Sequence, residues 1–204
     1  MQSPVKRIFF GTHIFDIYEQ VYDPAEDSFL FADYLYVEKN ARVLDVGTGC
    51  GILGILATEK TSSVVAVDLN PYAIRCTKAN SILNNVREKI TLIQADLLTP
   101  FDENSKFDLI LFNAPYLPAT EHEAETWMGK AWAGGIDGRQ VIDRFIHQAS
   151  LFLEPSGRIL LMQSTLANAE KTINKFAEQN LKANILAERK LPFFETLTLV
   201  EATF

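Results

Sequence analysis

Five apolar runs recur along the chain with helical patterns between them: "ARVLDV", "SSVVAVD", "KITLIQA", "FDLILFN" and "GRILLMQ". Each is nearly continuous rather than alternating, which is how strands covered on both faces of a parallel sheet read. The segments between them carry helix signals. In "DLNPYAIRCTKANSILNN", Asn70 is placed to cap and Pro71 to take the first helical position, with Ile74, Ala79 and Ile82 expected on the core face. In "GRQVIDRFIHQASLFL", Val141, Ile142, Phe145, Ile146 and Ala149 fall on one side, and Pro155 and Gly157 are expected to punctuate the end. Upstream, "VYDPAEDSFLFADYL" offers Asp23 as an N-cap, Pro24 next, and Glu26 at capping-box spacing. Strand and helix alternating across short loops predict a doubly wound α/β fold.

The last quarter changes character. A helix expected over about 166–181 is followed by "ANILAERKL", then Pro192, then "FETLTLVEATF", where Leu197, Leu199 and Glu201 alternate with Thr196, Thr198 and Val200. Two strands this close cannot be joined by a parallel crossover, which needs a dozen or more residues. The final pair is therefore expected to be antiparallel and to close one edge of the sheet.

At 204 residues the chain suits one domain over 1–204, with residues 1–40 as an N-terminal extension whose helix packs on the ligand site. Hydrophobic residues at 48% and charged residues at 22% are ordinary for a globular protein. The formal net charge of −7 changes the picture more: it repels phosphate backbones, so nucleic acid is disfavoured and basic or neutral protein partners fit better. Cys50 and Cys76 show no paired spacing of a disulfide scaffold or zinc site, and His13, His122 and His147 lack metal-ligand spacing, so no metal is expected. The apolar run before Gly11 is too short for a signal-peptide core, and no stretch approaches the roughly 20 apolar residues of a membrane span. A reducing cytoplasm is the expected location.

The chemistry begins at "VLDVGTGCGILG", which follows a strand and opens a helix, bringing backbone close to a ligand at a helix N-terminus. Gly49, Gly51 and Gly54 satisfy the dinucleotide pattern G-x-G-x-x-G. The acids around the loop point elsewhere. Asp45, two positions before Gly47, would repel a pyrophosphate but welcome the ammonium of an amino acid. Asp68, ending the next strand, is placed to accept ribose hydroxyls, and Asp96, ending the third, to accept from an exocyclic adenine amine. Amino acid, ribose and adenine together describe S-adenosylmethionine.

A fourth strand ends in Asn113, Ala114, Pro115 and Tyr116. From about Val21 to the C-terminus the chain resembles class I S-adenosylmethionine-dependent methyltransferases, which implies a seven-stranded, mostly parallel, Rossmann-like sheet with an antiparallel C-terminal strand. "NAPY" is similar to the Asn-Pro-Pro-Tyr signature of enzymes that methylate planar amines. "VYDPAEDSFL" and "AWAGGIDGRQVIDRF" resemble, more closely, the eukaryotic and archaeal release-factor glutamine methyltransferases of the HemK2/Mtq2 group. Bacterial enzymes of this type carry an additional N-terminal helical domain, for which the roughly 45 residues before the glycine loop are too few. The resemblance implies cofactor contacts at Ser28, Asp45, Gly47, Gly49, Asp68, Asp96, Leu97 and Asn113. It also implies substrate contacts at Asn113 and Tyr116, and a small zinc-binding activator of the Trm112 type that pairs with the sheet edge. Ser28 replaces the commoner threonine and keeps its hydroxyl; Ala114 replaces the first proline and keeps its carbonyl.

The motif suits an amide nucleophile. A carboxamide nitrogen is weak because its lone pair is delocalised, so a site must orient it. The Asn113 side-chain oxygen and the Ala114 carbonyl can each accept one N–H, aiming the nitrogen at an in-line methyl donor. Pro115 biases Ala114 toward extended backbone, and Tyr116 supplies a ring wall. Glu121, Glu123 and Glu125 read as a solvated acidic loop or a contact for a basic protein segment, Trp127 and Trp132 as groove lining or packing, and Cys50 as a small filler. Methylation of a protein glutamine, that of a class I release factor, is the leading expectation. N6-adenine DNA methylation and a cofactor-binding scaffold are the rivals.

Overall fold

The protein is described by a computed structural model over residues 3–204. The five continuous apolar runs form β3 to β7, and the elements follow in chain order. They are β1 (Lys6–Phe10), β2 (His13–Ile17), α1 (Glu26–Asp33), β3 (Arg42–Val46), α2 (Ile52–Ala57), β4 (Ser63–Asp68), α3 (Pro71–Leu83) and β5 (Ile90–Gln94). Next come β6 (Phe107–Asn113), α4 (Trp127–Lys130), α5 (Gln140–Ala149), β7 (Leu153–Ser164), α6 (Ala169–Glu178), β8 (Lys182–Lys190) and β9 (Thr196–Thr203). The main sheet runs β5-β4-β3-β6-β7-β9-β8, and β1 with β2 forms a separate antiparallel hairpin. Pairing is parallel from β5 to β7, and β9 is antiparallel to both β7 and β8. The strand order reverses between β3 and β6, where open α/β sheets place their ligand crevice.

The runs are continuous because both faces are covered. On one face Leu44, Val46, Ile110 and Phe112 pack with Ile142, Phe145 and Ile146 of α5 and Phe176 of α6. On the other, Val43, Leu109, Leu111 and Leu160 pack with Phe15, Phe31 and Ile55. The late pair is antiparallel as expected, with β9 inserted between β7 and the edge strand β8. Among the described residues no helix is long and apolar enough to cross a membrane.

Four local expectations are corrected. Asp23 does not cap α1: the cap position is Ala25, without a side-chain bond, and the Asp23 carboxylate instead takes Lys6 of β1 at 2.5 Å. Pro155 and Gly157 lie inside β7 rather than closing α5, which ends through a short 3-10 turn at Ser150–Phe152. The helix expected over 166–181 splits into a 3-10 turn at Thr165–Ala167 and α6, started by Asn168 in left-handed conformation. In α3, capped by Asn70 as expected, the buried face is Ala73, Cys76, Thr77, Asn80 and Ser81, while Ile82 is exposed.

The α3 face is polar because it serves the hairpin, which the apolar pattern did not reveal. Asn84 accepts the Ile14 N–H at 3.0 Å and donates to the Ile14 carbonyl at 2.7 Å. Asn80 does the same at Asp16, at 2.8 and 3.0 Å. Four helix residues rise about 6 Å and two strand residues about 6.6 Å, so carboxamides spaced i, i+4 match backbone positions spaced i, i+2. Neither Asn80 nor Asn84 is left with a buried side-chain atom lacking a partner.

Candidate active site

At the C-terminal ends of β3, β4 and β6 a cavity of about 650 Å³ opens, lined from the glycine loop, the start of α1, the end of β6 and the segment leading into α5. Register brings these ends together, pairing Asp45 with Ala66 and with Leu111, and Val46 with Val67 and with Phe112. Gly47 and Gly49 both have left-handed backbone, φ +66 and +58, which folds the loop tightly over the strand ends.

The acids are built in by that loop. Asp45, next to last in β3, is buried and accepts the Thr48 hydroxyl at 2.6 Å and the Gly54 N–H at 3.0 Å. Burial pushes its pKa up to about 7 against the pull of those two bonds. Asp68, last in β4, accepts the Gly49 N–H at 2.9 Å and the Asn70 N–H at 2.8 Å, one on each oxygen. A carboxylate has about four acceptor positions, so two remain for a ligand. Burial raises its pKa above the ordinary range, and the Gly49 and Asn70 bonds oppose the shift. Asp96 lies two residues beyond β5, and its Oδ2 is held by Arg144 of α5 at 2.6 Å. Leu97 follows with φ +49.

Asn113, the last residue of β6, has its orientation set by α1. Its Nδ2 donates to Asp27 Oδ2 at 3.1 Å and to Ser28 Oγ at 3.2 Å. The reversed amide would set its carbonyl oxygen against the Asp27 carboxylate, so the network selects the orientation. Asn113 Oδ1 is then buried without a hydrogen-bond partner, and among the described residues it is the one such side-chain atom on a cavity-lining residue. Asp27 is itself fixed by the Ser28 N–H at 2.6 Å.

The turn after Asn113 is held by glycine contacts. Ala114, buried, donates its N–H to the Met162 carbonyl at 3.3 Å. Leu117 bonds the Trp132 carbonyl through its N–H at 3.0 Å and accepts the Gly134 N–H at 2.8 Å. A Cβ added at Gly134 would stand 2.7 Å from the Pro115 carbonyl oxygen, and one at Gly138 would stand 2.2 Å from that of Tyr116. The "AWAGGIDG" segment therefore lies directly on the backbone of the turn and stiffens it where Ala114 does not. Tyr116 is a half-buried wall, its phenol pushed up first by burial and then by Asp27, Tyr22, Glu195 and Glu26.

All the sequence-predicted site residues line this one cavity: Ser28, Asp45, Gly47, Gly49, Asp68, Asp96, Leu97 and Asn113 through Tyr116. Trp127 and Trp132 line it too, with Lys130 stacked on the Trp127 ring at 4.7 Å. Cys50 also borders it, and burial drives its thiol well above the ordinary value, which opposes a thiolate role. Glu123 closes a local turn on Thr120, while Glu121 and Glu125 are exposed. Sequence reasoning missed Asp27, whose only local sign is an acid in the first turn of α1, and Arg144, which looks like an ordinary exposed helix cation.

The family model described as ribosomal protein L11 methyltransferase (PrmA) matches residues 29–115. A chain from Methanocaldococcus jannaschii named as a protein N5-glutamine methyltransferase is 40% identical over 185 residues, covering 90% of this chain and 92% of that one. The methyltransferase HEMK2 of Homo sapiens is 30% identical, with 91% of each chain covered. Among solved structures, the E. cuniculi Mtq2–Trm112 complex, described as responsible for methylation of the translation termination factor eRF1, is similar with a TM-score of 0.68. It is 26% identical, with 90% of this chain and 98% of that one covered.

Proposed function

The chain belongs to the HemK2/Mtq2-type protein N5-glutamine methyltransferases, and we propose that the amide received by its Asn113–Tyr116 turn is the Gly-Gly-Gln glutamine of a class I translation release factor. The carrying observation is the Asn113 amide: Asp27 and Ser28 consume its donors, leaving a buried oxygen that needs an N–H. An unmet buried acceptor is costly, so a substrate that supplies the donor is favoured over one that cannot. The Ala114 carbonyl is the second acceptor for the same –NH₂ group. Two acceptors on one nitrogen hold its lone pair in a single direction, and Tyr116 and Pro115 wall the planar amide. The relative whose described substrate is eRF1 supports the choice of protein.

S-adenosylmethionine fits the residues present. Asp45 would hold its ammonium, Asp68 its ribose and Asp96 the adenine amine, with Ser28, Gly47, Gly49, Leu97 and Asn113 completing the contacts. The two acceptor positions left on Asp68 and the free oxygen of Asp96 meet that need. When bound, this group supplies an electrophilic methyl on a sulfonium. The chain's own contribution is to orient the amide and to keep the Tyr116 phenol protonated.

A small zinc-binding activator of the Trm112 type is part of this reading, since the similar E. cuniculi protein was solved with Trm112. The unpaired edge of β5 offers backbone for such a partner, and the exposed side chains of Leu69, Ile82 and Leu83 offer apolar surface on that side. The cytoplasm, where release factors act, is the corresponding location. Mass spectrometry of the cognate release factor, incubated with this chain, the activator and S-adenosylmethionine, tests the reading. One added methyl on the Gly-Gly-Gln glutamine is the expected result, and an unmodified factor contradicts it.

A further inference from the structure

The turn between β8 and β9 places two phenylalanines wholly in solvent, Phe193 at 96% and Phe194 at 104% relative exposure. Both also have left-handed backbone, φ +62 and +66, where Cβ crowds the neighbouring carbonyl. The turn is not loose. The Leu191 N–H closes it on the Glu195 carbonyl at 2.8 Å, and the Thr196 N–H ties it to the Thr165 hydroxyl at 3.1 Å. Two fully exposed aromatic rings on left-handed backbone are costly, and strain of this kind collects at binding sites.

Position says what covers them. β8 runs in the same direction as β6 and β7, so its end faces the same way as Asn113. Register links Asn113 to Met162 and Met162 to Leu199, and β9 begins three residues before Leu199. The start of β9, Thr196, therefore stands about 10 Å beyond the level of Asn113 along the strand direction and about two strand spacings, or 10 Å, to its side, with the turn beyond it. Glu195 lies near enough to the Tyr116 phenol to help raise it. Arg189 of β8 reaches Asp33 of α1 at 3.3 Å, bracing the hairpin against the helix that carries Asp27 and Ser28. An activator on β5 would sit at the opposite edge of the sheet.

We infer that Phe193 and Phe194 form a docking prong for the substrate protein beside the loop that carries the target glutamine. The surface it meets is apolar and flanked by lysine or arginine. The charge follows from Glu26 and Glu195, near the Tyr116 phenol, and from Glu121 and Glu125, exposed on the loop whose Ala124 lines the cavity; of the cations on the lining, Arg144 is paired with Asp96 and Lys130 lies over the Trp127 ring. This rests on the release-factor reading and extends it, because a target side chain in a narrow cavity leaves the rest of the protein to be held outside.

The test is the double variant F193S/F194S, with activator supplied throughout, assayed on the intact cognate release factor and on a short Gly-Gly-Gln peptide. Both positions are solvent-exposed, so thermal stability should hold. The expected result is a KM for the intact factor raised about ten- to a hundredfold, with kcat unchanged and peptide methylation unchanged. An unchanged KM, with wild-type protein methylating the factor normally, overturns the prong and leaves glutamine methylation standing. A wild-type chain that leaves the factor unmodified overturns both. Loss of the activator or of a dimer in the variant, with peptide activity falling in parallel, assigns the phenylalanines to that contact and also overturns the prong.

Discussion

Asp27 and Asn113, 86 residues apart in the chain, meet at 3.1 Å, with the carboxylate accepting from the carboxamide. This bond, with that to Ser28, decides which end of the Asn113 amide is left without a partner. Asn113→Ala removes the acceptor and should slow methyl transfer by about 10²–10³, by analogy with loss of one oxyanion-hole donor. Asp27→Ala leaves Ser28 as the remaining anchor, so a loss of about tenfold in kcat is expected, with a smaller change in cofactor affinity. Because Asp27 acts through Asn113, the double variant should be no slower than Asn113→Ala alone. Single-turnover kinetics on the three variants checks this; additive losses would assign Asp27 a separate role.

The Asp45 carboxyl titrates near pH 7, far above the 3.8 of an ordinary aspartate, because it is buried. Between those values the folded protein holds a proton that the unfolded chain releases. Its stabilising contribution is therefore complete below about pH 4 and lost as pH rises through about 7. Cofactor affinity should run the other way, since only the ionised carboxylate attracts an ammonium, weakening by up to about tenfold per pH unit below 7. Asp45→Asn should flatten both profiles. Thermal melts and calorimetry from pH 5.5 to 8.5 read the two slopes, and a wild-type affinity independent of pH would remove Asp45 from the ammonium site.

Much of the fold is legible in local sequence. The apolar runs of β3 to β7 are continuous because helices cover both sheet faces, and the glycine loop and strand-end acids declare themselves by spacing. What escaped depends on contacts between distant segments. Asp23 has the spacing of a cap but is drawn off by Lys6 of the unforeseen hairpin. The α3 face cannot be found by apolar periodicity, because Asn80, buried, and Asn84, half-buried at the helix end, use their carboxamides to pair with β2. Asp27 sits beside Ser28 in the sequence, yet its importance arises only where β6 ends against α1. Asp96, expected to end its strand, lies two residues beyond β5, and its Arg144 partner lies 48 residues away.

The glycine segment that supports the turn gives a prediction about loop geometry. Gly138 has φ +72, and a Cβ there would stand 2.2 Å from the Tyr116 carbonyl oxygen, a contact with backbone that cannot rotate aside. Gly138→Ala should cost about 1–3 kcal/mol in stability and displace Tyr116. A shift of about 1 Å at a reacting group is enough for a hundredfold loss of rate. Turnover should therefore fall far more than cofactor affinity. Gly11→Ala is the control, since Gly11 also has positive φ but nothing within 4 Å. If both variants behave alike, the loss reflects backbone strain in general rather than pressure on the turn.

The most demanding prediction concerns the substrate side chain. Asn113 Oδ1 is a buried acceptor without a partner; if it and the Ala114 carbonyl receive the substrate as proposed, the group between them must present two donors on one nitrogen. Replacing the target glutamine by glutamate removes both N–H groups and brings a carboxylate among Asp27, Glu26 and Glu195, so methylation at that position should vanish. Asparagine keeps the two donors but shortens the side chain by one methylene. The nitrogen then falls short by more than the roughly 1 Å that already costs a hundredfold, and transfer should drop at least that far. Adenine in DNA offers the same pair of donors, yet a net charge of −7 gives its phosphates no general attraction. Methylation of the release factor and its glutamate, asparagine and DNA counterparts, followed by mass spectrometry across a salt titration, separates these cases. Efficient, steeply salt-sensitive modification of DNA with the release factor untouched would show that the two acceptors serve a base rather than a glutamine.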